Sequence, residues 1–191
     1  GGEAQPLVDQ LLRLPGEGAQ RLVLLGDLFQ AWVGFHQYET PGIRQFLDAI
    51  ATLRAGGLRV DYVEGNRDFF LAEGPYRDGF DSVGSECAFA AGGVRYLAVH
   101  GDGLNDRDRQ YLAWRWLSKS GPVKMVIRGV PRRIVGRFVD AAERRLSHTN
   151  FKHKAQIPEA AITRYAERRL AEGHDVLVLG QEQLGLPPAL V

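Results

Sequence analysis

The chain has 191 residues with a formal net charge of +1, and 45% of its residues are hydrophobic, which suits one globular domain with a sizeable core. No apolar run approaches the roughly 20 residues that span a bilayer, and no basic or apolar segment typical of a secretion signal opens the chain. A single cysteine, Cys87, excludes an internal disulfide, so we expect one soluble, unexported domain over residues 1–191 in a reducing cytoplasm.

The first part of the chain alternates between helical and strand patterns. Apolar residues at helical spacing predict a helix over residues 5–14, and a short apolar run predicts a buried strand over residues 22–25. A second helical pattern lies between Pro41 and Gly57, and residues 58–63 are predicted to form a second strand. The order strand, helix, strand predicts a βαβ unit with a parallel sheet, and therefore an α/β fold.

The second part of the chain begins with a predicted hairpin over residues 87–99, whose turn contains two glycines. Residues 106–146 have a helical and basic pattern that Gly121-Pro122 is expected to interrupt. A helix over residues 158–172 and a strand over residues 176–179 complete the predicted elements. We find no internal repeat.

Four of the predicted strands end in a polar residue: Asp27, Asn66, His100 and Gln181. Side chains that leave adjacent strands at their carboxyl ends converge, and the ligands of open α/β sheets bind there. A carboxylate, an amide and an imidazole together suit borderline divalent metals such as manganese, iron or zinc. Each residue alone also has a structural explanation, since Asp27 and Asn66 suit turns and a lone histidine is more often a core residue.

Three short blocks occur in chain order, each after a predicted strand: Gly26-Asp27, Gly65-Asn66-Arg67-Asp68 and His100-Gly101-Asp102. Together they resemble the GD, GN[HR]D and HGD blocks of the calcineurin-like metallophosphoesterases. The resemblance implies an α/β fold of the layered α-β-β-α sandwich type with an inserted helical cap. It also implies a hydrolase that works with two divalent metal ions.

The resemblance assigns roles to the residues of the three blocks. Asp27 is implied to bridge the two ions, Asn66 and His100 each to bind one, and Mn²⁺ is expected, with iron or zinc as alternatives. Such ions lower the pKa of a shared water so that hydroxide exists at neutral pH, and Arg67 is expected to neutralise charge on the phosphoryl group. Asp68 and Asp102 are expected either to orient ligands or to stabilise their loops.

Longer stretches around two blocks narrow the resemblance. The sequences GDLFQAWVG at residues 26–34 and GNRDFFL at residues 65–71 look like the UDP-2,3-diacylglucosamine hydrolase branch of lipid A synthesis. Arg67 stands where many other relatives have histidine, which favours this branch. The branch implies a pyrophosphatase that cleaves the diphosphate of UDP-2,3-diacylglucosamine to a lipid monophosphate and UMP.

Several metal ligands of the resembled family have no counterpart in the sequence. No Asp-x-His motif precedes Asp27, and the strand predicted over residues 176–179 is followed by Gln181-Glu182-Gln183 instead of a Gly-His-x-His block. We favour the interpretation that the printed sequence omits a strand before Gly1 and a loop after Gly180, because losing both histidines while the other ligands persist is an odd pattern of decay. The alternative is an inactive relative that serves as a binding protein.

A strongly basic stretch follows the His100 block. Residues 107–154 hold thirteen lysines and arginines against three acidic residues, so an anionic partner is expected. Large apolar residues alternate with these bases, as in elements that lie at a membrane surface, although an ordinary amphipathic helical pair shows the same pattern. The resemblance implies a helical cap over about residues 104–154 that receives the acyl chains.

The predicted substrate contacts are Arg67, Trp114, Trp116, Asn150, Lys152 and Lys154. The tryptophans are expected to contact the lipid, and the last three residues to hold the diphosphate or the sugar. Nucleic acid is not expected as a partner, because large aliphatic residues interrupt the bases. We therefore expect a protein that acts peripherally on the inner face of the cytoplasmic membrane. Two alternatives stay open: a metallophosphoesterase of another phosphate ester or nucleotide, and a catalytically inactive binding protein of the same fold.

Overall fold

The computed structural model of the chain describes residues 4–102, 116–117, 119–130 and 159–180. The chain divides into two compact units, one of residues 1–88 and 98–100 and the other of residues 89–97 and 101–191. Helices occur together with parallel strand pairs, so the α/β class expected from the sequence is confirmed. The α-β-β-α layering and the cap stay predictions, because most of the range 104–154 lies outside the described residues.

Two α-helices belong to the first unit, α1 at Gln5–Leu11 and α2 at Pro41–Ala55. α2 begins where the sequence predicts, because Thr40 accepts a hydrogen bond from the Ile43 backbone N–H at 3.2 Å and Pro41 suits the first helical turn. Gly57, in the left-handed region at φ 90°, follows its end. The buried face of α2 consists of Ile43, Phe46, Ala49, Ile50 and Leu53.

The helix predicted over residues 5–14 is shorter than expected. α1 ends at Leu11, and a 3₁₀ helix follows at Leu14–Glu17. Pro15 has no N–H with which to bond the Leu11 carbonyl, so the α-helical ladder cannot continue through it. The helical spacing of the sequence places Leu12 on one face with Leu7, Val8 and Leu11, but in the structure Leu12 follows the end of α1 and is 45% exposed.

The sheet of the first unit has three parallel strands, β1 at Arg21–Leu24, β3 at Arg59–Val63 and β5 at Ser82–Gly84, with β3 in the centre. β1, α2 and β3 form the βαβ unit expected from the sequence. The pattern does not predict β5, since three residues that include a glycine are too few for a periodic signal. A separate parallel pair joins β2 at Trp32–Val33 to β4 at Asp68–Phe69.

An aromatic cluster fills the core of the first unit around Trp32, which is fully buried. The Trp32 ring meets Tyr62 edge to face with centroids 5.3 Å apart, and Phe46 likewise at 5.7 Å. Phe80 packs against Tyr62 at 5.3 Å. Edge-to-face pairs of this kind add about 0.5–1.5 kcal/mol each beyond the apolar area they bury, so the motif stretch 26–34 is anchored in the core by Trp32.

A three-stranded sheet has β7 at its centre, between the strands β6 and β8; its members are β6 at Glu86–Ala91, β7 at Val94–Val99 and β8 at Val176–Leu179. The predicted hairpin is confirmed, because Gly92 and Gly93 take φ values of 57° and 81° as a tight two-residue turn requires. In the second unit, Asp175 accepts a hydrogen bond from the Arg95 backbone N–H at 2.8 Å just before β8 begins.

The remaining helices, α3 at Gly121–Gly129 and α4 at Glu159–Ala171, belong to the second unit. Gly121-Pro122 was expected to interrupt the helical pattern, and this is confirmed: residues 119–120 form a turn and a bend, and α3 begins at Gly121 with Pro122 in its first turn, where its missing N–H is not needed. The apolar spacing over residues 158–172 predicts that Leu170 faces inward, but in α4 it is 41% exposed, whereas Ala161 is buried. Within the described residues, no helix is both long and apolar enough to cross a bilayer.

Candidate metal and phosphate site

The chain turns sharply where β1 ends. Gly26 and Asp27 both take left-handed backbone conformations, with φ values of 69° and 54°. A side chain on Gly26 would overlap the backbone N–H of Gly65, so the loops after β1 and β3 approach each other closely only because residue 26 is glycine. Aspartate is one of the few other residues that tolerate the left-handed region.

Gly65 leaves the space in which two predicted site residues meet. A Cβ built on Gly65 would overlap Asp27 Oδ1 and would lie 2.7 Å from both Cδ2 and Nε2 of the His100 ring. No side chain fits there without displacing the carboxylate or the imidazole. The glycine is therefore part of the site, a role that its position in a motif block indicates but that composition alone does not.

The structure brings Asp27, Asn66 and His100 together in the first unit. His100 Nε2 lies 3.3 Å from Asp27 Oδ2, and His100 is buried. One terminal atom of the Asn66 amide lies 3.2 Å from Asp27 Oδ1 and closer still to Oδ2. The backbone N–H of Arg67 donates to Asp27 Oδ1 at 2.8 Å.

The Asn66 amide can face Asp27 with either its oxygen or its nitrogen, and the two orientations differ in their chemistry. With its nitrogen toward Asp27, it donates to both carboxylate oxygens. With its oxygen there, amide and carboxylate oxygens face each other, an arrangement that is stable only around a cation or a proton. The orientation with nitrogen toward Asp27 therefore suits a hydrogen-bonded site, and the orientation with oxygen toward Asp27 suits a cation-binding site.

The donor atoms of the site match a divalent metal ion in kind but not in number. Asp27, Asn66 and His100 supply carboxylate oxygen, amide oxygen and imidazole nitrogen, a mixture that suits manganese, iron or zinc. Over residues 4–102, 116–117, 119–130 and 159–180, no three His, Cys, Asp or Glu side chains form a group that could hold a metal ion. The described donors therefore fit part of the coordination shell of one ion and do not supply a complete dinuclear site.

Asp68 braces the loops of the site. Its Oδ2 accepts from the backbone N–H of Gly65 at 2.8 Å, from that of Asp27 at 3.1 Å and from the Tyr62 hydroxyl at 3.1 Å. Burial raises the pKa of Asp68 to about 6, against the opposing effect of these hydrogen bonds. One carboxylate thus ties the ends of β1 and β3 together, which is the loop-stabilising role expected of Asp68; the ligand-orienting role stays a prediction.

Two residues of this site are not anticipated by the sequence analysis, Tyr62 and Glu64. Tyr62 is fully buried, and burial together with neighbouring Asp68 raises the pKa of its phenol well above the usual value. Glu64 Oε1 accepts from the backbone N–H groups of Leu71 at 2.7 Å and Ala72 at 3.2 Å. A usable signal is the acidic residue placed directly between an apolar strand and the Gly65 block.

Of the other predicted site residues, some are described by the structure and others lie outside the described residues. The Arg67 guanidinium donates to Gln30 Oε1 at 3.2 Å, and Trp116 is 74% exposed in the second unit. Asp102 is partly exposed and belongs to the second unit. Outside the described residues lie Trp114, Asn150, Lys152, Lys154 and Gln181. Their expected roles stay predictions.

The chain is similar to proteins named UDP-2,3-diacylglucosamine hydrolase. It is 30% identical over 126 residues to that of Ralstonia nicotianae, covering 65% of this chain and 47% of the relative. It is 35% identical over 114 residues to that of Stenotrophomonas maltophilia, and 37% identical over 105 residues to that of Shigella sonnei. These matches cover 59% and 53% of this chain and 46% and 43% of the two relatives.

These similarities confirm the resemblance inferred from the three motif blocks. The chain spans about half the length of the curated relatives it matches. No protein-family model matches the chain.

Proposed function

We propose that this chain is a metal-dependent hydrolase that cleaves the diphosphate of UDP-2,3-diacylglucosamine into a lipid monophosphate and UMP. The observation that carries the proposal is the convergence of Asp27, Asn66 and His100, with His100 Nε2 only 3.3 Å from the Asp27 carboxylate. The choice of substrate rests on the similar proteins, which are named UDP-2,3-diacylglucosamine hydrolase.

In this proposal, Asp27, Asn66 and His100 hold divalent ions, Mn²⁺ or else iron or zinc. Bound ions of this kind supply Lewis-acid chemistry at the phosphoryl group and lower the pKa of water. The Arg67 backbone N–H keeps the Asp27 carboxylate in place through its 2.8 Å hydrogen bond. The Arg67 guanidinium is the group proposed to bind the diphosphate, because a planar cation can pair with two phosphate oxygens at once.

The lipid part of the substrate is assigned to the basic stretch. Trp116 and Met125 are 74% and 78% exposed in the second unit, and α3, which contains Met125, also contains Lys124 and Arg128. Apolar side chains among bases suit the boundary between lipid tails and anionic head groups. We propose that the chain binds the inner face of the cytoplasmic membrane through this stretch, and that Trp114, Asn150, Lys152 and Lys154 contact the substrate.

A second function is favoured by the incomplete donor set. With three donors among the described residues, and with an Asn66 amide that can donate to Asp27, the same pocket can form a hydrogen-bonded site without metal. A catalytically inactive binding protein of the same fold is therefore the alternative. A phosphoesterase with another ester substrate is the third candidate, since the loops after β1 and β3 show no feature specific to lipid.

The test is to incubate the 191-residue chain with UDP-2,3-diacylglucosamine and Mn²⁺ and to measure UMP by chromatography. We expect UMP from the wild type and none from Asp27→Ala, while Asp48→Ala, at an exposed position of α2, keeps full activity. Thermal unfolding of both variants controls for folding. Turnover of bis(p-nitrophenyl) phosphate without UMP release would favour another ester, and no turnover of either substrate would favour the binding protein.

A further inference from the structure

We propose that Glu64 is a positioning residue, whose carboxylate closes the loop that carries Asn66, Arg67 and Asp68 and so keeps the Asn66 amide against Asp27. The inference rests on the function proposed above, because it assigns Glu64 a part in the same site. No hydrogen bond links Glu64 to Asp27, Asn66 or His100 within the described residues, so it acts through the loop.

Hydrogen bonds hold both the backbone and the side chain of Glu64. Its backbone N–H donates to the Gly84 carbonyl at 2.8 Å, where β5 ends, so the residue is anchored to the sheet. Its side-chain Oε1 accepts from the backbone N–H groups of Leu71 at 2.7 Å and Ala72 at 3.2 Å. One carboxylate oxygen therefore joins the start of the loop to its far end.

The far end of the loop is strained where Glu64 holds it. Phe70, directly before the two bound N–H groups, is buried with φ at 62°, a conformation that bulky residues rarely adopt. Such outliers persist when the surroundings fix them and occur often at functional sites. The fit is tight, since a Cβ on Gly34 would overlap the Phe70 carbonyl.

Only a few residues separate Phe70 from the site residues in the same loop. Between Glu64 and Leu71 the loop contains β4, whose Asp68 binds the Gly65 N–H at 2.8 Å, and it contains the Arg67 N–H that binds Asp27. If the Glu64 carboxylate is removed, Phe70 can relax toward an ordinary conformation, and the segment from Asn66 to Asp68 gains freedom. The Asn66 amide then loses its fixed position against Asp27.

The test compares three variants of the full chain. Glu64→Ala removes the acceptor, and Glu64→Gln keeps an Oε1 that can accept from both N–H groups. Glu39→Ala is the matched control, because Glu39 is a partly buried carboxylate of the same unit that accepts from Arg44 and Tyr76 instead. The readouts are amide hydrogen exchange over residues 65–72 and the Mn²⁺ concentration that gives half-maximal hydrolysis of bis(p-nitrophenyl) phosphate.

For Glu64→Ala we expect faster exchange over residues 65–72 and a half-saturating Mn²⁺ concentration raised on the order of 10-fold, within the range known for residues that orient metal ligands. The KM for the ester at saturating Mn²⁺ should stay near the wild-type value. Glu64→Gln should restore both readouts, and Glu39→Ala should change neither, although it lowers the melting temperature.

Two results would overturn the proposal: unchanged exchange in Glu64→Ala, or equal shifts in Glu64→Ala and Glu39→Ala. Failure of the proposed function can be told apart from failure of the Glu64 role. A wild type that neither binds Mn²⁺ nor hydrolyses the ester contradicts the proposed function alone. The exchange readout then decides by itself. Acceleration confined to Glu64→Ala supports the positioning role, and its absence refutes it.

Discussion

The loops after β1 and β3 differ from helix α3 in what determines their shape. In the loops, the Asp27, Glu64 and Asp68 carboxylates accept hydrogen bonds from backbone N–H groups of a neighbouring segment. In α3, apolar side chains such as Met125 are exposed and the helix follows from its own sequence pattern. The loops are thus fixed by contacts within the chain, whereas α3 exposes apolar side chains, which the proposed function assigns to the membrane.

The strongest test of this difference is a methyl group placed inside the loops. Gly65→Ala puts a Cβ onto Asp27 Oδ1 and 2.7 Å from the His100 ring, so one of the two must move. Since displacements of about 1 Å at a reacting site cost on the order of 100-fold in rate, we expect a loss of that size in kcat/KM and a comparable loss of Mn²⁺ affinity.

The matched control is Gly79→Ala, because a Cβ at Gly79 meets nothing within 4 Å. This variant should behave as the wild type in the same assays. A Gly65→Ala chain that keeps wild-type kcat/KM would show that the close approach of Asp27 and His100 is irrelevant to activity.

A smaller effect is expected from the exposed face of the second unit. The double change Trp116→Ser with Met125→Ser should weaken sedimentation with anionic phospholipid vesicles on the order of 10-fold, because a membrane interface buries only part of each side chain, and full burial of one is worth about 1.5–3 kcal/mol. The free energy of unfolding should change by less than about 0.5 kcal/mol, as for exposed positions generally.

Leu12→Ser is the control for the vesicle experiment, since Leu12 is also exposed, at 45%, but belongs to the first unit. It should bind vesicles as the wild type does. Equal binding by all three proteins would remove the membrane from the proposed function and would leave α3 as an ordinary solvated helix.

The smallest effect concerns Asp81, which lies just before β5 and accepts hydrogen bonds from Arg54 of α2 and from the Val60 backbone N–H of β3. Burial opposes ionisation of Asp81, but the Val60 N–H at 2.8 Å and the Arg54 guanidinium at 3.1 Å outweigh it and hold the Asp81 pKa below its usual 3.8. This carboxylate therefore stabilises the fold fully above about pH 4, and the contribution disappears as pH falls through the lowered pKa.

Asp81→Asn should accordingly cost about 1 kcal/mol in urea unfolding at pH 7, a typical value for a lost hydrogen bond, and progressively less below pH 4. Asp48→Asn, at an exposed position of α2, should cost less than about 0.5 kcal/mol. A cost for Asp81→Asn that is independent of pH down to pH 2 would contradict the pKa argument.

The sequence predicts the parts of this molecule that depend on local pattern. The βαβ unit follows from apolar runs and from the Thr40-Pro41 start of α2, and the hairpin follows from Gly92-Gly93. β5 and the pair β2 and β4 are not predicted, because strands of two or three residues are defined by their partners and carry no period of their own. The break before α3 also follows from local pattern, because proline lacks the N–H that a helix interior needs but suits the first turn of a new helix.

The site shows the same division between local pattern and tertiary contact. The strand-end rule and the motif blocks single out Asp27, Asn66 and His100, which the structure brings together in the first unit. The residues that hold the loops in place are not predicted from the sequence. Tyr62 reads as a core aromatic residue and Glu64 as a loop residue until their hydrogen-bond partners are known. Trp116 shows the limit of sequence-based prediction, because an amphipathic pattern does not decide whether an apolar side chain is exposed or buried.

The most direct test of the central claim is Mn²⁺ binding measured by electron paramagnetic resonance on the 191-residue chain. If Asp27, Asn66 and His100 form a metal site, the wild type binds Mn²⁺, and each of Asp27→Ala, Asn66→Ala and His100→Ala weakens binding by at least about 10-fold. Asp48→Ala should bind as the wild type does. Binding that is absent from the wild type, or equal in all five proteins, would contradict the claim and leave the close contact between Asp27 and His100 as a structural feature.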